Sequence, residues 1–350
     1  MTTKEKVLET LNRNKCDSIS GELLAEKCNV SRAAVWKAVK SLREQGYNIT
    51  GTTNGGYILE SDNDVVSNQQ FYTYLKKNHQ EFQNIHIECF KDIDSTNTYA
   101  KKVLSECGNL RSLSGELTES GKEYHQAAII AEHQTAGRGR LGRTFISPVK
   151  SGIYLTIIYA PQGGIQQPAK LTALSAVAVI RAIKNVYGLE TQIKWINDIF
   201  YKGKKVGGIL TEGFTNFETG IIESAIIGIG INIEVNNEIP DELKDKAGSL
   251  FSQGEKKSAG RCELAAEITA QCLKIFNEDE IKSFEEYKKH SFILGQEITV
   301  YPLIGDEKSS FKATAIDVDS EAGLVVRLED GSKKTLNSGE VTLKSVNLAK

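Results

Sequence analysis

A chain of 350 residues, 40% of them hydrophobic, is long enough for two or three domains with sizeable cores. A net charge of −2 excludes binding of nucleic acid through bulk charge, so any contact with DNA must come from a local patch. Six cysteines without a CxxC pair argue against a zinc site or a disulfide framework and fit a reducing cytosol. With no leader-like start and no long apolar run, a cytoplasmic protein with no membrane partner is expected.

Residues 1–62 predict a small DNA-binding domain. Lys4 to Asn12 carries Val7, Leu8 and Leu11 at helical spacing. Ser20 can cap a second helix with Leu23, Leu24 and Ala25 facing inward, and Cys28-Asn29-Val30 makes a turn. Ser31 then caps a third helix, with Ala34, Val35, Ala38, Val39 and Leu42 on one stripe and Arg32, Lys37, Lys40 and Arg43 on the other face. An alternating run, Tyr47 to Leu59, turns at Asn54-Gly55-Gly56 and predicts a β-hairpin. Helix-turn-helix followed by a hairpin is a winged-helix pattern, with Ser31, Arg32, Lys37, Lys40 and Arg43 as the DNA-binding candidates. The same pattern also fits a three-helix packing unit whose basic face is merely solvated.

Glu60 to Asn68 reads as a linker, and Phe71 to Lys77 as a short helix. Ile85 to Phe90 alternates like a strand and leads into Asp94-Ser95-Thr96-Asn97. Small polar residues there can cap the helix expected from Thr98 to Leu104 and can also hydrogen-bond a neutral ligand. Cys107 to Tyr124 is rich in Gly, Ser and Glu and reads as a surface loop of little order.

The most informative stretch runs from Glu132 to Pro148, between the apolar runs Ala127–Ala131 and Gly152–Ala160. Arg138, Arg140 and Arg143 alternate with Gly137, Gly139 and Gly142, making a cationic loop that can close over a carboxylate or a phosphate. An exposed basic loop is the plainer alternative. Ala169 to Asn185 predicts a long helix. From Ile193 to Leu210, two strand-like runs flank a Lys202-Gly203-Lys204 turn, with Asn197 and Asp198 ending the first and Lys205 just past the turn. Asp198 there suits magnesium or a polar ligand, and Lys205 an acyl phosphate, although Asn-Asp is also ordinary turn chemistry. Ser224 to Glu234 is a buried strand interrupted by Gly228 and Gly230, and it lacks the full GxGxxG of a dinucleotide site. Leu264–Phe276 and Asp279–His290 are helical. Beyond residue 295, short alternating runs punctuated by Gly305, Gly323 and Asp330-Gly331 predict a small SH3-like β-barrel.

Four stretches together, DSTN (Asp94–Asn97), EHQTAGRGRLGR (Glu132–Arg143), KWINDIFYKGKKVGGIL (Lys194–Leu210) and GIGINI (Gly228–Ile233), resemble the family of bifunctional biotin–protein ligases that also repress biotin genes. Order and spacing match over nearly the whole chain. There are two departures: Ile196 stands where the family usually has proline, and the Cys107–Tyr124 segment is longer than the family's. The resemblance implies an α+β multidomain chain: a winged helix-turn-helix (1–62), a central mixed α/β ligase domain resembling class II synthetase-like folds (63–290) and a C-terminal SH3-like β-barrel (291–350).

It further implies that biotin is adenylated by ATP with Mg2+ and passed from biotinyl-5′-AMP to a lysine of biotin carboxyl carrier protein or another biotin-dependent carboxylase. A ligand-promoted homodimer would place two winged helices on operator DNA. By the resemblance Ser95, Thr96, Asn97, Gln134, Arg138, Gly139, Arg140 and Lys205 bind biotin; Arg138, Arg140, Arg143, Phe145, Asn197, Asp198 and Asn232 bind ATP or the adenylate; and Lys205 and Arg140 are catalytic. No resident protein metal site is implied. The rival readings are a lipoate or octanoate ligase, and a small-molecule-sensing transcription factor without ligase activity.

Overall fold

The computed structural model describes residues 1–14, 16–52, 55–60, 64–112, 114–216, 220–234, 247–302, 309–337 and 339–343. The N-terminal unit begins with α1 (Thr3–Arg13), whose Thr2 and Glu5 form a capping box. Ser20 caps α2 (Gly21–Cys28), and Asn29 ends it in the left-handed region at φ 53°. Ser31 caps α3 (Arg32–Glu44). Strands β1 (Ile49–Thr52) and β2 (Gly56–Leu59) pair antiparallel as the wing, while Asn54 of the expected turn lies outside the described residues. Val7, Leu8, Leu11, Leu24, Val35, Val39, Leu42 and Leu59 make a core of their own. Leu23, expected inside, is exposed: Leu24, Ala25 and Cys28 are the inward residues of α2.

The central unit is a seven-stranded mixed sheet. Its strands are β3 (Ile87–Ile93), β4 (Ala128–Gln134), β5 (Gly152–Tyr159), β6 (Gln192–Lys194), β7 (Asp198–Tyr201), β8 (Lys204–Thr215) and β9 (Ile222–Asn232), in the order β3-β4-β5-β9-β8-β7-β6. Only β3 and β4 run parallel; every other neighbour is antiparallel. The single expected run from residue 193 is thus two strands, β6 and β7, with Asn197 in the turn between them and Asp198 opening β7.

The two faces of this sheet differ. Strand alternation sends Ile153, Leu155, Ile157, Ile227, Ile229 and Ile231 to one face, against α7 (Pro168–Tyr187) and α8 (Arg261–Ile275). The helix α4 (Asn68–Asn78) packs on α8, and α9 (Glu280–His290) on α7. The opposite face carries Tyr154, Thr156, Ile158, Gly230, Gly228 and Ile226. Its upper half is covered by α5 (Thr96–Cys107) and the segment after it. That segment is not the loop of little order its composition suggests: it contains α6 (Glu119–Tyr124), capped by Thr118, and contributes Leu110 and Tyr124 to a cluster with Ala100, Leu104, Ile129, Ile158 and Ile226. Gly108 ends α5, and a Cβ on Gly121 would collide with the Leu110 carbonyl. The lower half of the face stays open.

The C-terminal strands β10 (Glu297–Tyr301), β11 (Phe311–Val318), β12 (Leu324–Arg327), β13 (Lys333–Leu336) and β14 (Glu340–Leu343) form an antiparallel sheet in the order β13-β12-β11-β10-β14. Among the described residues β13 and β14 are its two edges and no pairing closes a barrel; the Gly305 turn lies outside the described residues. This sheet does not bury itself separately. Ile298, Val300, Ala315 and Val326 are continuous with the central core, and the Trp195 indole N–H donates to the Ala322 carbonyl at 2.8 Å. No helix among the described residues is long and apolar enough to cross a membrane.

Candidate active site and nucleic-acid interface

The open half of the sheet face floors a cavity of 830 Å³. Every ligand-binding and catalytic candidate from the sequence lines it: Ser95, Thr96 and Asn97 from the start of α5, Gln134 from the end of β4, Arg138, Gly139, Arg140, Arg143 and Phe145 from the arginine loop, Asn197 from the β6–β7 turn, Asp198 and Lys205 from the starts of β7 and β8, and Asn232 from β9. Gly339, Val341, Thr342 and Leu343 of the C-terminal sheet complete the wall.

The polar end is built on a buried relay. The Ser95 hydroxyl accepts from the Thr98 N–H, so that side chain caps α5. Gln134 Oε1 accepts from the Thr96 N–H at 2.9 Å, and its amide donates to Ser147 Oγ at 2.9 Å. The Thr156 hydroxyl, fully buried on β5, lies 2.7 Å from Thr96 Oγ1 and 2.6 Å from Asn97 Oδ1. Asn97 Nδ2 donates to Glu212 Oε2 at 2.9 Å. Sequence reasoning passed over Thr156, inside a run read as strand, and Glu212, two residues past the stretch that ends at Leu210; their signal was a polar residue on the face that the neighbouring glycines leave open.

The cationic end is pre-paired. Arg138 Nη2 lies 3.2 Å from Glu212 Oε1, Arg140 Nη1 donates to Asn197 Oδ1 at 2.9 Å, and Lys205 Nζ lies 2.6 Å from Asp198 Oδ1. Lys101 Nζ also reaches Glu212, at 2.6 Å. Burial pushes the Glu212 carboxyl up, but the hydrogen bonds from Lys101 and Asn97 and the charges of Lys101 and Arg138 outweigh it and hold it below the usual carboxylate range. The Asn232 amide donates to the Gly248 carbonyl at 3.0 Å.

The glycines of β9 have a steric role. The β5–β9 register is regular through Gly228 and Gly230, so neither marks a bulge. A Cβ on Gly230 would come within 2.6 Å of the Phe145 ring, and one on Gly228 would strike the Asn97 amide. Bare backbone here lets the arginine loop and the start of α5 settle on the sheet. Asp198 is the only carboxylate lining the cavity among the described residues, and no group of three or more potential metal ligands occurs among them. The Trp195–Ile196 peptide, where the resembled family has proline, is cis, and the Tyr287 hydroxyl donates to the Ile196 carbonyl at 3.2 Å.

On α3, Arg32, Lys37 and Lys40 are exposed and have no acidic partner among the described residues. Ser31 spends its hydroxyl on the cap, accepting from the Ala34 N–H at 3.2 Å, and Arg43 Nε donates to the Ile49 carbonyl at 2.8 Å, tying the helix to the wing. Sequence reasoning missed Trp36, which is 56% exposed between these lysines with Lys40 Nζ 5.6 Å above its ring. Its signal was an aromatic off the 35-38-39-42 apolar stripe.

A buried ion cluster fastens the connection between the two units to the central sheet. Arg261, 1% exposed at the start of α8, bonds Asp64 of the connection at 2.6 Å and Glu132 of β4 at 2.8 Å. Desolvation pulls the guanidinium pKa down, but the two carboxylates more than offset it.

Comparison with known proteins agrees with this geometry. Residues 90–232 match the Biotin/lipoate A/B protein ligase family, and residues 3–58 match an HTH domain. The chain is 31% identical to the bifunctional ligase/repressor BirA of Bacillus subtilis over 346 residues, 95% of this chain and 96% of that protein. It is 26% identical to the BirA of Escherichia coli over 330 residues, 93% of each. A biotin protein ligase from Aquifex aeolicus in complex with biotin and ATP shares the fold, with a TM-score of 0.58 at 23% identity over 75% of this chain and 99% of that one. The chain belongs to the bifunctional ligase/repressor family.

Proposed function

We propose that this protein adenylates biotin with ATP, transfers it from biotinyl-5′-AMP to a lysine of biotin carboxyl carrier protein or another biotin-dependent carboxylase, and represses biotin genes through its winged helix. The observation that carries the reading is one cavity with a neutral polar end (Thr96, Asn97, Gln134) and a cationic end (Arg138, Arg140, Lys205). That is what bringing a carboxylate tail to a triphosphate requires.

In the first step a biotin carboxylate oxygen bonds the α-phosphorus and pyrophosphate leaves. In the second the acceptor ε-amine bonds the acyl carbon, loses a proton and expels AMP. No protein nucleophile is needed. Lys205 and Arg140 neutralise the charge that builds where two anions meet, and both are held in place before substrate arrives. Arg143, Phe145, Asn197 and Asn232 border the nucleotide. Magnesium would supply charge screening of the triphosphate when bound, and Asp198 is the cavity carboxylate that would share in holding it.

A glycine-rich loop on the sheet face supports ligand-dependent ordering and a ligand-promoted homodimer, which sets two copies of α3 on a two-fold operator in the cytoplasm. Five antiparallel strands support the SH3-like description of residues 291–350, and the separate N-terminal core supports a domain of residues 1–62 ahead of a ligase domain of residues 63–290.

Biotin-dependent exchange of labelled pyrophosphate into ATP, run beside lipoate and octanoate, tests the ligase. Exchange with biotin alone is expected; exchange only with the other acids moves the protein to the sister ligases, and none with any acid leaves a sensing transcription factor. Sedimentation with and without biotin plus ATP tests the dimer, which a ligand-insensitive oligomer would refute.

A further inference from the structure

We infer that Glu212 is a positioning residue that sets ligand choice by fixing which way the Asn97 amide faces. The inference rests on the biotin reading above.

Asn97 can present either its oxygen or its NH2 to a ligand, and the two orientations differ only in hydrogen bonding. Glu212 is anionic, kept so by Lys101 at 2.6 Å and Arg138 at 3.2 Å, and an anionic carboxylate only accepts. It therefore takes the NH2, at 2.9 Å, and the Leu210 carbonyl takes a longer bond from the same nitrogen at 3.4 Å. The opposite side of the amide agrees. Thr156 has one proton and two acceptors within reach, Asn97 Oδ1 at 2.6 Å and Thr96 Oγ1 at 2.7 Å, and the shorter contact is the one to Asn97. Both amide hydrogens are thus drawn toward β8. Asn97 lines the cavity, and its Oδ1 is the atom nearest the Cβ position left bare at Gly228; the lone pair that Thr156 does not face is the one left for the ligand.

A fixed acceptor at this end selects a ligand whose head carries N–H donors, as the ureido group of biotin does. The dithiolane of lipoate and the methyl terminus of octanoate have none and would leave Oδ1 desolvated and unpaired, which is where a buried polar group discriminates most strongly. Glu212 itself does not line the cavity but touches two residues that do, Asn97 at 2.9 Å and Arg138 at 3.2 Å; its effect on ligand choice is assigned to Asn97, and the double variant below separates the two routes.

The test is Glu212→Gln, which keeps the shape but can donate as well as accept, so the amide is free to turn. Pyrophosphate exchange should show the KM for biotin raised about tenfold or more, with the KM for ATP and kcat within about twofold. On an Asn97→Ala background the same substitution should leave the biotin KM where Asn97→Ala alone puts it, because the acceptor is already gone. Thr156→Val, which removes the restraint on the other side of the amide, should repeat the signature and serves if Glu212→Gln does not fold. An unchanged biotin KM, equal rises for biotin and ATP, or additive effects in the double variant would overturn the assignment while the wild-type exchange with biotin still stands. A wild-type chain that fails to exchange with biotin overturns the ligase reading itself.

Discussion

The protein carries two cationic surfaces, and they are built in opposite ways. On α3, Arg32, Lys37 and Lys40 stand in solvent with no acidic partner among the described residues. In the cavity Arg138, Arg140 and Lys205 are each held by Glu212, Asn197 or Asp198. Solvated, unpaired charges suit a phosphodiester backbone, which is gripped by releasing counterions and has to be let go. Fixed charges suit a reacting phosphate, because a cation already in place needs no reorganisation when charge develops.

The sharpest way to break this contrast is Lys205→Ala. Biotin-dependent exchange should fall about 10²–10³-fold, the usual cost of removing one preorganised charge donor. Biotin binding by calorimetry should weaken less than about tenfold, and equal losses would mean that Lys205 merely binds. At the other surface, Lys37→Ala and Lys40→Ala should each lower the slope of log K against log salt for duplex DNA by about one, with exchange unchanged. A constant slope would remove these lysines from the interface.

Between the surfaces, Gly230→Ala should destabilise by about 1–3 kcal/mol, since its methyl group meets the Phe145 ring in a packed site. Thermal melts should show Phe145→Leu recovering part of that loss, and no recovery would place the strain elsewhere.

The smallest effect is a pH control away from both. Burial, aided by the Arg111 charge, lowers the His125 pKa from 6.5 to about 4, and its Nδ1 accepts the Ala160 N–H at 3.1 Å. Between those values the unfolded chain binds the proton and the folded chain does not, so stability falls as pH drops from about 6.5 toward 4. His125→Gln should flatten melting temperature against pH in that window, and an unaltered slope would assign it to other groups.

What the sequence determined by itself is local. Caps at Ser20 and Ser31, the apolar stripe of α3 and the glycine–arginine alternation each depend on residues a few positions apart, and each is found in place. The family motifs located the cavity-lining residues by the same short-range logic. Only the tertiary structure decided the rest. Glu212 reaches Asn97 across 115 positions, and Arg261 reaches Asp64 across 197. The Cys107–Tyr124 segment, polar in composition, packs on the sheet because Leu110 and Tyr124 find a half-covered face. The C-terminal strands, read as a small SH3-like β-barrel, share the central core, and the Trp195 indole bonds the Ala322 carbonyl. Partners, burial and shared cores come from which faces meet, and no periodicity within one segment records the face of another.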